Sequence, residues 1–402
     1  MDRLRGRSSV RLVLWLTTIA ALVTAAAACG GATNGTLLAI DAKTGQELWR
    51  VRPPGGAVGR ATTADGLVFV VTSNNCNSLQ GTLVAYDAAM GRERWRASSV
   101  RGCFSSVSAR RGLAVALGEK NVQGLDDRDG SSRWSAELTG GRDVTLIDGD
   151  NLVVVVEVAA YDAQFRALDR LTGQERWAKS MTLPGRFGPA LASNTSALFL
   201  TQPFGGSLGA WPLTALDLET GEQRWAVNVG GAGTSLVGLD TNDDTAFVRF
   251  GSYKEEQAVR KEGSSTVAAF DARAGEERWR HQEPGDPFAA DLAVADNGIY
   301  VYGLGEKASD TLTALDVQSG AVRWQISQLG GRGQQTVAAG AGVAVLTVSE
   351  ESRGRVLAFT AADGSHFWER EVPPSPGVVH ATTVSDGVVY VGAWGKVPSF
   401  GD

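Results

Sequence analysis

Short apolar and β-branched runs alternate with compact polar turns along most of this chain, with no long helical period between them. Thr82-Leu-Val-Ala-Tyr86 leads into Asp87-Ala-Ala-Met-Gly91, and Arg92-Glu-Arg-Trp95 leads out, which predicts two strands joined by a tight turn. Upstream of each such hairpin lies another pair of runs around a second polar turn, as at Asp65-Gly66, Asp296-Asn297-Gly298 and Ser385-Asp386-Gly387. The hairpin recurs eight times, marked by Trp49, Trp95, Trp134, Trp177, Trp225, Trp279, Trp324 and Trp368. Four residues before each Trp stands a glycine: Gly45, Gly91, Gly130, Gly173, Gly221, Gly275, Gly320 and Gly364. Eight before it stands an aspartate in seven copies (Asp41, Asp87, Asp126, Asp169, Asp217, Asp271, Asp316) and Thr360 in the last. Ten before it is Ala, or Gly124 in the third copy. A fixed phase over eight copies is the signature of a repeat architecture, and four strands in about 45 residues make one propeller blade.

Each marker has a physical reason. The aspartate side chain accepts backbone N–H groups just downstream and starts the turn. Glycine supplies the positive φ with which a bulged hairpin turn closes. The large aromatic needs a buried place, and the small residue on the incoming strand leaves room for it. The chain begins in mid-blade with the hairpin at 36–50 and ends with the other half, Val378 to Trp394. Pairing the two halves completes an eighth blade and leaves no long sheet edge exposed. An open solenoid would instead need capping repeats, which the sequence lacks. The expected fold is therefore all-β: an eight-bladed β-propeller of four-stranded antiparallel blades, closed by its N- and C-terminal half-blades and spanning 35–402.

The unit A-[LIYF]-D-x-x-[TSAD]-G-x-x-x-W resembles the repeat of the pyrroloquinoline-quinone-type propellers over about residues 35–395. In that family the Trp docks between neighbouring blades. Within it, the length and the leader resemble the outer-membrane assembly lipoprotein group, whose members are scaffolds rather than enzymes.

Arg3, Arg5, Arg7 and Arg11, the apolar stretch Leu12 to Val23 and small residues up to Cys29 read as a secretory signal over 1–28, followed by a short tether over 29–34. Ala26-Ala27-Ala28-Cys29-Gly30 resembles a lipoprotein cleavage box, with Ala26 where Leu is usual; ordinary cleavage after Ala28 is the alternative. Lipidation of Cys29 would make this an extracytoplasmic, membrane-anchored protein; without it the protein would be secreted or periplasmic. Removing Cys29 leaves Cys76 and Cys103, an even pair in an exported chain. Their two loops lie on one propeller face, so a disulfide is geometrically reasonable and would contribute about 2–4 kcal/mol. Two unpaired thiols are the other reading. The net charge is −6, and residues 1–28 carry four Arg and one Asp, leaving −9 on the remainder. That argues against nucleic acid as a partner.

Chemistry is scarce. His281, His366 and His380 show no metal-ligand spacing, and there is no nucleophile elbow or phosphate loop. Quinoprotein dehydrogenases use vicinal cysteines over the cofactor, a Trp beneath it and Glu, Asn and Asp around calcium. No two cysteines here are adjacent, so no cofactor is expected, pyrroloquinoline quinone included. The connections between second and third strands vary most. Gly251 to Ser265 is the longest, offering Tyr253, Lys254, Glu255, Arg260 and Lys261 as contact residues, and Gln202 to Trp211 offers Phe204 and Trp211. Ser349 to Arg353 is a smaller one. Long insertions on one face of a repeat protein often bind partners, although surface loops also tolerate insertion cheaply. The leading expectation is a monomeric, non-catalytic scaffold for an envelope or membrane protein partner. The second is a module binding a small molecule or glycan in the central channel, and the third a quinone-dependent oxidoreductase.

Overall fold

The computed structural model describes residues 35–54, 57–73, 81–98, 104–141, 143–159, 162–182, 190–201, 212–230, 234–256, 259–284, 291–303, 311–330, 334–349, 354–372 and 377–395. Its strands form eight antiparallel sheets, and no helix occurs among the described residues. Blades 1 to 7 follow the chain: Ala57–Ser98, Ser106–Glu137, Asp143–Thr182, Ala190–Asn228, Thr234–Pro284, Asp291–Ser327 and Gln334–Val372. In blade 1 the innermost strand is split, with Ala57–Val58 and Thr62–Ala64 both pairing Leu67–Ser73.

Blade 8 closes the ring as the half-repeats require. Its two inner strands, Gly377–Ser385 and Val388–Gly395, come from one end of the chain, and its two outer strands, Gly35–Asp41 and Glu47–Val51, come from the other. The join runs from Gly35↔Trp394 to Asp41↔Val388.

The hydrophobic core is divided among the seams between blades. Among the described residues there are eight apolar clusters, and each combines side chains from two neighbouring blades. Blades 4 and 5 share Phe199, Trp225, Val248 and Phe270, whereas blades 8 and 1 share Leu37, Trp49, Val70 and Tyr86. Strands in the middle of a blade are buried on both faces, which is why Leu113–Leu117 and Ala197–Thr201 read as continuous apolar runs.

The hairpin between third and outer strands has the geometry its residues imply. Asp87 Oδ1 accepts the N–H groups of Ala89 at 3.1 Å and Met90 at 3.0 Å. Gly91 sits at φ +66°, in the left-handed region. The register slips between Ala85↔Trp95 and Tyr86↔Glu93, so Arg94 is an extra, bulged residue. The same slip occurs in all eight blades. Bulges bend a strand and re-aim a side chain, and here they aim the residue before each Trp.

Candidate interaction surface

Each repeat Trp reaches across a seam. Its indole Nε1 donates to the carbonyl of the residue following the turn Asp, or Thr360, in the next blade: Trp49 to Ala88 at 2.8 Å, Trp134 to Arg170 at 2.9 Å, and so on to Trp368, which donates to Ala42 at 2.9 Å and closes the ring. The N–H of that same acceptor residue bonds to the first turn of its own blade, as Ala88 does to Gly66. The ring glycines form the surface the indoles lie on. A Cβ built on Gly91 would fall 2.7 Å from Trp49 Cδ2, and all eight ring glycines show the same conflict with the preceding blade's Trp. Glycine is thus required twice, for the turn's φ and for the indole's space.

The turn carboxylates are engaged by the backbone N–H groups of their own turns. Asp271 Oδ1 accepts the N–H groups of Ala274 at 2.7 Å and Arg273 at 2.8 Å, while Oδ2 accepts Arg278 at 2.7 Å. The Ala274 N–H, followed by the Arg278 guanidinium, holds its carboxyl down at about 2. Asp126 is held below the usual carboxylate range first by Arg133. A carboxylate held ionised by the backbone and guanidinium donors around it is a turn former, as its phase in the sequence implies.

The bulged position is where the ring becomes unequal. Six blades place an arginine there: Arg94, Arg133, Arg176, Arg224, Arg278 and Arg323. Arg176, Arg224 and Arg278 each lie 2.7 Å from their turn Asp. Blades 7 and 8, which adjoin, instead expose Phe367 (43%) and Leu48 (47%). Blade 7 also lacks the acid, since Thr360 stands in its place and bonds Asp363. Sequence reasoning missed this apolar pair; the signal was the residue immediately before each Trp.

On the opposite face, blade 5 departs furthest from the repeat. The segment expected to be a loop from Gly251 to Ser265 is instead a continuation of two strands, Thr245–Glu256 and Val259–Asp271. Their pairing runs outward through Tyr253↔Gly263, Lys254↔Lys261 and Glu255↔Arg260 to Glu256↔Val259. Among the described residues the inner neighbour pairs no further than Ser252 and the outer one no further than Ser264, so the tip is a two-stranded ribbon beyond them. The ribbon residues Tyr253 to Gly263 show no alternation of apolar and polar residues, and the strand signal in the sequence fails there.

The base of the ribbon is clamped. Arg249, fully buried, donates from Nε to Ser265 Oγ at 3.1 Å, from Nη1 to Tyr302 O at 2.6 Å and from Nη2 to Gly303 O at 3.2 Å, tying the ribbon to blade 6. Ser252 and Ser264 pair through their hydroxyls at 2.8 Å, and Arg280 lies over the Phe250 ring at 5.3 Å. The ribbon therefore projects from a rigid root. Tyr253, Lys254, Glu255, Arg260 and Lys261 all fall on it. Phe204, Trp211, Cys29, Cys76 and Cys103 lie outside the described residues, as does 350–353.

Around the channel, Asp240 joins the innermost strands of blades 5 and 6: its carboxylate accepts the N–H of Val294 at 3.0 Å and of Thr241 at 2.8 Å. Burial pushes this carboxyl up, opposed by those N–H groups and by Arg60. His281 pairs Glu283 at 3.0 Å and His366 packs edge-on against Phe359, so both sit in outer-strand contacts. No cluster of three or more metal-ligating side chains occurs among the described residues.

A ring of Trp-docking hairpins closed by split half-blades defines a β-propeller of the pyrroloquinoline-quinone-repeat class. The family described as outer membrane protein assembly factor BamB matches residues 19–142, 78–246 and 209–397, and the chain belongs to it. One curated relative, the outer membrane protein assembly factor BamB of Burkholderia pseudomallei (strain K96243), is 26% identical over 305 residues, 74% of this chain. The match spans 62% of that relative's length. The crystal structure of BamB from Moraxella catarrhalis superposes with a TM-score of 0.56 at 16% identity, covering 88% of this chain and 98% of that one. The quinohemoprotein alcohol dehydrogenase of Comamonas testosteroni superposes with a TM-score of 0.54 at 11% identity, covering 92% of this chain and 78% of that one. At these identities the two structures share the fold alone, and that fold carries both a dehydrogenase and an assembly factor.

Proposed function

We propose that this protein is a non-catalytic scaffold at the cell envelope that holds a protein partner in the assembly of outer-membrane-type proteins, tethered to a membrane by a lipid on Cys29. The observation that carries this reading is the blade 5 ribbon. Its backbone projects past both neighbouring strands from a root pinned by Arg249, which suits an element that another chain grips. Family membership supports it, as does the fate of the repeat's carboxylates, which are consumed in turns. Cys76 and Cys103 form a disulfide in this reading, and the cofactor is absent.

The test is crosslinking in intact cells from photoreactive residues at 254 and 260, followed by capture of the full-length protein and mass spectrometry. One near-stoichiometric envelope protein is expected at both positions, and it should no longer co-purify after chemical crosslinking once 253–263 is shortened to a two-residue turn. Undiminished capture by the shortened protein, with its melting temperature unchanged, would refute the ribbon as the contact. The channel reading predicts instead a melting-temperature rise with a metabolite or glycan that Asp240→Asn removes. The quinone reading predicts quenching of tryptophan fluorescence by pyrroloquinoline quinone with calcium.

A further inference from the structure

The repeat provides an internal comparison at two of its seams. Between blades 6 and 7 lies a groove of about 390 Å³ lined by Asp296, Tyr300, Arg323, Ala341, Gly342, Ala361 and Ala362, among others. The corresponding groove between blades 1 and 2 is about 730 Å³ and is lined by Asp65, Arg94, Arg111, Gly112, Asp127 and Arg128 together with Leu67. The two share a backbone frame. Asp65 and Asp296 occupy the same place in the first turn, both with positive φ, and each reaches across to a glycine N–H of the next blade, Gly112 at 3.3 Å and Gly342 at 3.1 Å. Arg94 and Arg323 are both bulged residues. Among the positions at which the walls differ, Arg111, Asp127 and Arg128 in one seam stand where Ala341, Ala361 and Ala362 stand in the other. The frame therefore folds without those three charges.

The charged seam is organised around Asp127, which is only 4% exposed. Its carboxyl faces that of Asp65, and burial, followed by the Asp65 and Asp126 carboxylates, pushes it above the usual carboxylate range. Three guanidinium groups surround the pair with most of their N–H donors unspent. Arg94 stands 4.0 Å from Asp87, and Arg111 stands 3.9 Å from Asp150 while giving one bond to Asn151 at 2.8 Å. Arg128 is exposed and makes no side-chain hydrogen bond or ion pair with any described residue. Arg94, Arg111 and Arg128 line the groove with Asp65 and Asp127, and Arg94 and Arg111 meet Asp87 and Asp150 only at 4.0 and 3.9 Å, too long for a hydrogen bond. Guanidinium forks match the oxygens of a phosphate, and a phosphate monoester carries about −1.5 to −2 charges at pH 7. The volume is far more than a bare ion fills and falls in the range of about 300–1,000 Å³ that small organic ligands occupy.

We propose that the groove between blades 1 and 2 binds a phosphate monoester carrying hydroxyl groups, its phosphate held by Arg111 and Arg128 and its hydroxyls by the Asp65–Asp127 pair. This goes beyond the scaffold reading and does not depend on it. The groove lies on the turn face, opposite the ribbon, so a ligand there leaves the ribbon's contact free.

The test is titration calorimetry of the full-length protein in detergent with glycerol 3-phosphate, with glycerol as the control. Saturable one-to-one binding of the ester, and none of glycerol, is expected. Arg111→Ala/Asp127→Ala/Arg128→Ala, which copies the blade 6–7 seam, should weaken binding at least tenfold without lowering the melting temperature of the unliganded protein. Arg128→Ala alone disturbs no internal contact and should weaken it several-fold, which keeps the test decisive should the triple variant prove unstable. Flotation with phosphatidic acid vesicles separates the sources: binding to vesicles but not to the soluble ester assigns the groove to a lipid headgroup, and binding to the soluble ester assigns it to a small phosphorylated metabolite. Saturable binding to neither, or binding that the Arg128→Ala variant leaves unchanged, overturns the proposal.

Discussion

Gly91→Ala separates the two demands that the structure places on the ring glycines. The residue sits at φ +66°, where an L side chain costs about 1–2 kcal/mol of backbone strain. The new Cβ would also stand 2.7 Å from Trp49 Cδ2, and the indole must retreat by about 1 Å to reach ordinary contact. That movement threatens the 2.8 Å bond from Trp49 Nε1 to Ala88 O, worth about 0.5–1.5 kcal/mol, and displaces a side chain that is 8% exposed in the seam between blades 8 and 1. Together these put the cost of Gly91→Ala at about 2–4 kcal/mol. Gly66 supplies the control: its φ is +75°, but nothing lies within 4 Å of a built Cβ, so Gly66→Ala should cost only the strain, about 1–2 kcal/mol. The assay is urea unfolding followed by fluorescence and circular dichroism. In a Trp49→Ala background the extra cost of Gly91→Ala should vanish, leaving it equal to Gly66→Ala. Equal costs of the two glycine changes in the wild-type background would refute the argument that the indole needs glycine beneath it.

Leu48→Arg should restore in blade 8 the pair seen at Arg224 and Asp217, here with Asp41, and raise stability by about 0.3–1 kcal/mol in thermal unfolding at low salt, less at high salt. Arg249→Met removes the donors to Tyr302 O and Gly303 O, which should cost about 2–5 kcal/mol and speed amide exchange at Ser252 and Ser264, where the ribbon begins. The Asp271 carboxyl lies lower in the folded protein, at about 2, than its ordinary 3.8, so its ionised form favours the fold. That contribution is present above pH 4 and lost as pH falls through 2, and Asp271→Asn should flatten the acid limb of a stability-against-pH curve in that window.

The architecture was legible because three residue types in the repeat serve backbone needs that tertiary context does not override. Asp caps the turn, Gly takes the positive φ, and Trp fills the seam, so their phase alone counts the blades. Closure was legible from the half-repeats at 36–50 and 378–394. Other features were not, each for a local reason. Lys254–Glu256 and Val259–Lys261 pair as strands, yet their run of mixed charges carries no apolar alternation to read. The Arg–Asp pairs such as Arg224 with Asp217 are seven residues apart, and only the bulge brings them together. Asp127 was invisible because its neighbour Asp65 belongs to the preceding blade, a contact between repeats rather than within one.

That last distinction locates specific function in a repeat protein. Eight copies of one hairpin must satisfy the same turn, the same indole and the same closure, so most positions are fixed by the frame and say nothing about partners. Positions the frame leaves free are recognised where copies disagree while the backbone stays the same. The alanines at 341, 361 and 362 show that the frame does not need Arg111, Asp127 and Arg128. The other arginines at the bulge show that it does not need Leu48 or Phe367. A buried carboxyl and unspent guanidinium groups carry a desolvation and repulsion cost that the alanine version avoids, and the ligand proposed for the blade 1–2 groove is what would offset it there.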